Sequence, residues 1–371
     1  MTAGPPFEIF LVAIPGLEEA LCTEARAKGF QDAAVTTGGV RLKGRWPDVW
    51  RANLELRGAS RVLARIGSFR ALHLAQLDKR ARVFPWRETL RPDVPVAVEA
   101  TCKRSRIYHS GAAAQRIATA IREELGAPVS AEADVVIKAR IEDDLVTLSV
   151  DTSGGLLHKR GHKQAMAKAP MRETMAALFL ASCNFNGREP VLDPMCGSGT
   201  FVIEAAEIAA GLKPGRDRDF AFEELATFDP ARWEMLRKTA AGTEARPWFY
   251  GSDRDAGAIT AARANAARAG VDHLTHFAQA AVSDIAPPEG SPGLVVCNPP
   301  YGARIGEKKP LFGLYGALGK ALLARFSGWR VGLITSDESL ARATGLPFLP
   351  KGKPVLHGGL RVYLFATRPL P

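Results

Sequence analysis

No run of about 18 or more apolar residues occurs in the 371-residue chain, which excludes a membrane-spanning helix. The five cysteines (Cys22, Cys102, Cys183, Cys196 and Cys297) form no C-x-x-C pair and no His-linked spacing, so neither a disulfide framework nor a metal site is expected. The opening MTAGPPFEIFLVAIPG lacks a basic stretch and carries Glu8 inside its apolar run, which argues against a secretory signal. Internal repeats and low-complexity tracts are also missing. What these absences leave is a cytoplasmic globular protein. Hydrophobic residues at 46% and charged residues at 24% are enough to bury a core. At about 100–200 residues per domain, the length predicts two or three domains.

Charge is present in excess of one sign. Lys plus Arg number 49 against 39 Asp plus Glu, a formal +10. Between Arg57 and Arg122 there are fourteen basic residues and four acids, so this window alone carries the whole excess. Such a concentration suits a polyanion, because each neutralised phosphate releases a counterion. A solvated arginine-rich face is the bland alternative. Lys103-Arg104-Ser105-Arg106-Ile107-Tyr108-His109 interleaves cations with an aromatic, as surfaces that bind RNA do.

Residues 7–50 read as a small α/β unit: the strand FEIFLVAI, a helix stopped at Gly29, and a hairpin turning at Gly38-Gly39. The stretch to residue 155 is mixed, with a strand at VPVAVEATC, a helix at AAAQRIATAIREELG and a hairpin around Glu142-Asp143-Asp144. HKRGHKQAMAK (158–168) reads as a basic linker, its His158 and His162 lacking a third metal ligand at suitable spacing. From Ala169 strands alternate with helices, which predicts an open, mostly parallel α/β sheet. Residues 212–247 interrupt it as a charged insertion containing Pro and Trp.

Two motifs carry chemistry. In VLDPMCGSGT (191–200) a buried strand ends in an acid, turns through Gly197 and Gly199 and opens a helix. Glycine permits close backbone approach, and a helix N-terminus offers free N–H groups to an anion. No lysine follows the second glycine, so this is not a Walker loop. Asp253, ending WFYGSD, is the candidate ribose acceptor; Asp219 is nearer the usual spacing of about 20 residues but has no strand before it. The second motif, Asn298-Pro299-Pro300-Tyr301, follows the apolar strand LVVC. Two prolines end the strand in a rigid loop. An amide oxygen and the Pro299 carbonyl can then accept from one NH2 group while Tyr301 stacks on a planar ring.

DPMCGSGT, Asp253 and NPPYG together resemble the class I S-adenosylmethionine-dependent amino-methyltransferases. LHKRGHK and APMRETMAA (157–177) narrow this to the THUMP-domain RNA guanine-N2 methyltransferases, and the resemblance covers nearly the whole chain, nearest to the bacterial enzymes that act on 23S rRNA. It implies a Rossmann-like domain with a mostly parallel seven-stranded sheet, preceded by an α+β ferredoxin-like and THUMP module that binds RNA. The implied boundaries are 1–50 ferredoxin-like, 51–156 THUMP, 157–168 linker and 169–371 methyltransferase.

By the same resemblance, Asp193, Pro194, Met195, Gly197, Ser198, Gly199 and Thr200 surround the methionine end of S-adenosylmethionine, and Asp253 takes the ribose. Asn298, Pro299, Pro300 and Tyr301 take the target guanine. The family's acid for the cofactor adenine has no clear counterpart in QAAVSD, which leaves Asp284 or a backbone carbonyl. Lys79, Arg80, Lys103, Arg104, Arg106, Tyr108, His109, Lys159 and Arg160 are the implied RNA contacts. Cys196 is expected to pack rather than act as a nucleophile, since methyl transfer to an amine is a direct displacement. Some relatives carry a second methyltransferase domain; with the sequence ending at Pro371, that activity is expected to be absent or to belong to another protein. Relatives acting on tRNA, adenine-N6 or glutamine-amide methylation, and a non-enzymatic RNA-binding or assembly factor are the alternatives.

Overall fold

The computed structural model describes residues 5–163, 171–238, 248–301 and 308–371. Residues 164–168 of the expected linker and 239–247 of the expected insertion lie outside the described residues, as does Gly302 of NPPYG. Contacts divide the chain into two compact units. One comprises Met1–Ala13, Ala25–Leu157 and Gly215–Thr239, the other Ile14–Glu24, His158–Pro214 and Ala240–Pro371. No described helix is long and apolar enough to cross a membrane.

The chain opens with strand β1 (Phe7–Val12), helix α1 (Glu18–Ala27), strands β2 (Ala34–Thr36) and β3 (Gly39–Gly44), and helix α2 (Trp46–Glu55). There follow β4 (Arg61–Arg70), α3 (Leu74–Arg82), β5 (Val96–Lys103), α4 (Ser110–Ala120), β6 (Val135–Glu142) and β7 (Leu145–Asp151). The seven strands of the first unit form one sheet in the order β2-β3-β1-β4-β7-β6-β5, in which only β5 and β6 pair in parallel. Strand β6 buries alternate residues, Val135, Ile137, Ala139 and Ile141, as a sheet with one packed face requires.

In the second unit α5 (Glu173–Ser182) precedes β8 (Val191–Asp193) and α6 (Thr200–Ala209). Residues 215–238, including α7 (Pro230–Lys238), belong to the first unit. Aromatic burial explains that allegiance. Phe222 stacks on Trp50 with ring centroids 6.1 Å apart, and Trp233 meets Phe222 edge-on at 5.0 Å.

The chain then supplies β9 (Phe249–Asp253), α8 (Ala256–Ala269), β10 (Thr275–Gln279), β11 (Leu294–Cys297) and α9 (Lys308–Arg325). It ends with β12 (Arg330–Thr335), α10 (Glu338–Ala343), β13 (Val355–His357) and β14 (Leu360–Ala366). Their sheet runs β10-β9-β8-β11-β12-β14-β13, parallel from β10 to β12 and antiparallel at β14 and β13. Strand β11 is buried at every residue, as a central parallel strand covered on both faces must be. The order reverses between β8 and β11, so a crevice is expected beyond the carboxyl ends of these strands.

Candidate active site

The glycine loop follows β8. Asp193, 3% exposed, accepts the Met195 amide at 3.1 Å, and burial pushes its carboxyl up to about 8, with the charge of Asp253 adding to the rise. The Cys196 amide donates to the Ser252 carbonyl at 2.9 Å, which ties the loop to β9. Gly199 sits at φ +86, where a side chain would be strained, and caps α6. Beneath the loop a Cβ on Gly251 would lie 2.6 Å from Phe277 and 3.0 Å from Cys196 Sγ, so only glycine lets β9 pass. Cys196 is buried, its thiol driven far up by burial, which matches a packing role.

Asp253, at the end of β9, is fixed from both sides. Its Oδ2 accepts the Gly197 amide and its Oδ1 the Asp255 amide, each at 3.0 Å. Both oxygens keep a free lone pair. The carboxylate also lines a cleft of about 310 Å³ with Pro194, Met195, Asn298 and Pro300. Arg254, Ala280 and Val282 continue one wall, and Pro310, Leu311 and Leu314 supply another from α9.

Asn298 follows β11 at the head of the proline loop. Its Oδ1 is buried and has no hydrogen-bond partner among the described residues. An orphan acceptor of this kind costs about 1–3 kcal/mol, and in a cleft it asks for a donor. Pro299 is buried, and Pro300 faces the cleft. Tyr301 packs against the same core cluster as Met195, Leu311 and Leu314, and burial lifts its phenol to about 12 against the opposing pull of the Asn298 amide.

Several expectations need correction. Asp284 is exposed, accepts from Ser283 Oγ at 3.0 Å, and is not among the residues lining the cleft. Ala280 and Val282 occupy that wall. Nor is 158–163 a solvated linker. Arg160 has a side chain 2% exposed and meets Glu204, itself 1% exposed, at 3.3 Å. It is withdrawn from any RNA surface because a carboxylate buried on α6 demands a cation. His162 is likewise buried, 4.0 Å from Glu207, and burial lowers its imidazole despite the carboxylates around it. Burial and neighbouring cations lower His158 to about 4.

The other cations expected at RNA are exposed: Lys79 and Arg80 on the last turn of α3, Lys103 at the end of β5, Arg104 and Arg106 just after it, and Lys159. Tyr108 is 82% exposed and His109 is exposed beside it. Arg104 is nonetheless bonded to Asp143 at 2.9 Å and to Glu142 at 2.9 Å, and Arg106 lies 3.9 Å from Asp144. The turn about forty residues away partly neutralises this patch, which charge counting along the chain could not register. In the same unit Arg65, Arg70, Lys103, Arg104 and Arg140 border a depression of about 560 Å³, so Arg140 joins the basic surface from outside the basic window. Among the described residues no group of three or more potential ligands could hold a metal.

Residues 160–351 match the family model described as RMKL-like, methyltransferase domain, and residues 8–63 match the RlmL ferredoxin-like domain. The chain belongs to the RMKL-like methyltransferase family. Over 92% of its length it is 37% identical to "Ribosomal RNA large subunit methyltransferase K/L" of Syntrophotalea carbinolica, and it spans about half of that protein (51%). It is 31% identical to the Synechocystis sp. protein named "Putative RNA methyltransferase slr0064", covering 95% of this chain and 94% of that one. A crystal structure described as "SMU.472, a putative methyltransferase complexed with SAH" superimposes with a TM-score of 0.89 at 27% identity over 99% of both chains.

Membership was legible from the two motifs and Asp253 together with LHKRGHK and APMRETMAA. Arg254 and the α9 wall were not. A helical LYGALGKALLARF (314–326) can be read from the sequence, but nothing in it says which face meets the cleft.

Proposed function

We propose that this protein transfers the methyl group of S-adenosylmethionine to the exocyclic N2 amine of a guanine in large-subunit ribosomal RNA. The observation that carries the reading is the buried, unpartnered Oδ1 of Asn298 in a cleft shared with the doubly anchored carboxylate of Asp253. The residues present fit the cofactor: Asp253 has lone pairs left for the two ribose hydroxyls, and the Met195–Thr200 loop opens helix α6 toward the amino-acid end. When bound, S-adenosylmethionine supplies an electrophilic methyl on a sulfonium. The protein's own part is alignment.

Asn298 Oδ1 and the Pro299 carbonyl would each accept one hydrogen of the target amine, turning its lone pair out of the ring plane toward the methyl. Positioning of this sort replaces a collision by a unimolecular step, and two acceptors stabilise the N–H charge that grows during attack. Proton loss from the methylated ammonium needs no dedicated base. A base buried in a duplex must first be unstacked, which structured RNA permits at loops and bulges. Exposed Lys79, Arg80, Lys103, Arg104, Arg106, Tyr108, His109 and Lys159 would hold the phosphates and stack on bases. The names of the K/L relatives support the ribosomal substrate.

The test is transfer of radiolabelled methyl to separated rRNA and tRNA pools that lack the modification, followed by nucleoside analysis. N2-methylguanosine in large-subunit rRNA is the expected product. Label confined to tRNA, or N6-methyladenosine, would overturn the substrate while keeping the donor. RNA binding without any transfer would point instead to an assembly factor.

A further inference from the structure

Lys163 lies at the junction of three segments of the second unit. Its Nζ donates to the Met171 carbonyl at 2.7 Å and to Thr200 Oγ1 at 2.9 Å, and lies 3.3 Å from Glu173 Oε1. Two ammonium donors are thus hydrogen-bonded, and the charge faces the Glu173 carboxylate. The Lys163 and Glu173 side chains are 11% and 6% exposed, so this is a nearly dry ion pair. Glu173 opens α5, and Thr200 is the first residue of α6, at the end of the glycine loop.

Two consequences follow from elementary chemistry. A hydroxyl has one proton and two lone pairs. With a lone pair of Thr200 Oγ1 taken by the Lys163 ammonium, the hydroxyl proton is turned away from the lysine. Among the described residues it has no other partner, and it sits beside the free amides at the α6 N-terminus, where an anion is favoured. The second consequence is electrostatic. Without Lys163, the Glu173 carboxylate would stand buried and uncompensated within reach of that same terminus, and like charges in a low dielectric repel strongly.

We propose that Lys163 is a positioning residue for the α-carboxylate of the cofactor: it orients the Thr200 hydroxyl as a donor and cancels the charge of Glu173 behind it. The assignment rests on the S-adenosylmethionine reading above. It also gives a function to the 158–163 segment, whose Arg160 and His162 face Glu204 and Glu207 on the buried side of α6 while Lys163 reaches its first residue. Arg268 braces the arrangement, donating to the His162 carbonyl at 2.7 Å, and its neighbour Asn265 donates to the Ser198 carbonyl at 3.0 Å.

The test is equilibrium binding by calorimetry, without RNA, of S-adenosylmethionine and of its decarboxylated analogue to the full chain and to Lys163→Met, Lys163→Arg and Thr200→Val. Charge-assisted hydrogen bonds of this class carry about 10- to 100-fold in affinity. Lys163→Met should therefore weaken the parent cofactor by about that factor while leaving the decarboxylated analogue within about threefold. Lys163→Arg should recover most of the loss. Thr200→Val, which keeps the Lys163–Glu173 pair and so guards against a folding artefact, should show the same selectivity at smaller size. Equal weakening of both ligands, or no weakening of either, overturns the role of Lys163. Wild-type protein that binds neither ligand overturns the cofactor reading itself, and this proposal with it.

Discussion

The hydroxyl of Tyr315 lies 3.3 Å from the carbonyl oxygen of Pro300, so a fully buried side chain of α9 holds the loop that carries Asn298. The same hydroxyl is 3.2 Å from Thr335 Oγ1 at the end of β12. Tyr315 thus joins the proline loop to the neighbouring strand. Tyr315→Phe keeps the ring and removes the link. Stability should fall by about 1 kcal/mol. The turnover number should fall about tenfold, a fraction of the roughly 100-fold that a 1 Å misplacement can cost. Affinity for S-adenosylhomocysteine should stay within about threefold, and calorimetry beside steady-state kinetics checks the split.

Asn298→Ala removes the orphan acceptor and nothing from the cofactor cradle. Methyl transfer should drop by about 100- to 1,000-fold, the size found when one preorganised polar group is lost from a reacting centre. Cofactor binding should barely change. Parallel loss of both would contradict the role given to Asn298.

Asp253→Asn tests the anchoring of the glycine loop. Its two oxygens accept the Gly197 and Asp255 amides. An amide in their place presents NH2 to one of these N–H groups, so one hydrogen bond becomes a donor–donor clash. Binding of S-adenosylhomocysteine should weaken about tenfold or more by calorimetry.

The raised carboxyl of Asp193 gives a pH signature. Because its native value, about 8, lies above the ordinary carboxyl value of 3.8, the folded state keeps a proton that the unfolded chain releases. That contribution to stability is whole below pH about 4 and is lost as pH rises toward 8. In ligand-free protein, Asp193→Asn, whose amide oxygen can still accept the Met195 N–H, should remove this slope. Melting temperatures at pH 5 and 8 should show the variant gaining on wild type at the higher pH. A constant difference between the two would refute the assignment.

The buried and exposed cations should separate cleanly. Arg160→Met strips a partner from Glu204 and should destabilise by about 3–5 kcal/mol, seen in urea unfolding. Lys79→Ala and Arg80→Ala should leave stability nearly unchanged. Each should instead weaken RNA binding and reduce its salt dependence by about one counterion, measured by titration across ionic strengths.

The sequence by itself determined the alternation of strands and helices, the glycine loop from Asp193 to Thr200, Asp253 and the NPPY loop. All are local: a strand must be apolar, a tight turn needs glycine, and two prolines stop a ladder, so each leaves its mark in consecutive residues. Only the tertiary structure decided which distant groups meet. It buried Arg160 against Glu204, paired Arg104 with the Glu142–Asp143 turn and drew residues 215–238 into the first unit through Trp50. It also left Asp284 outside the cleft that Leu311, Leu314 and Tyr315 help to build. Those outcomes depend on burial and on charges brought together from far along the chain, and neither quantity exists until the chain has folded.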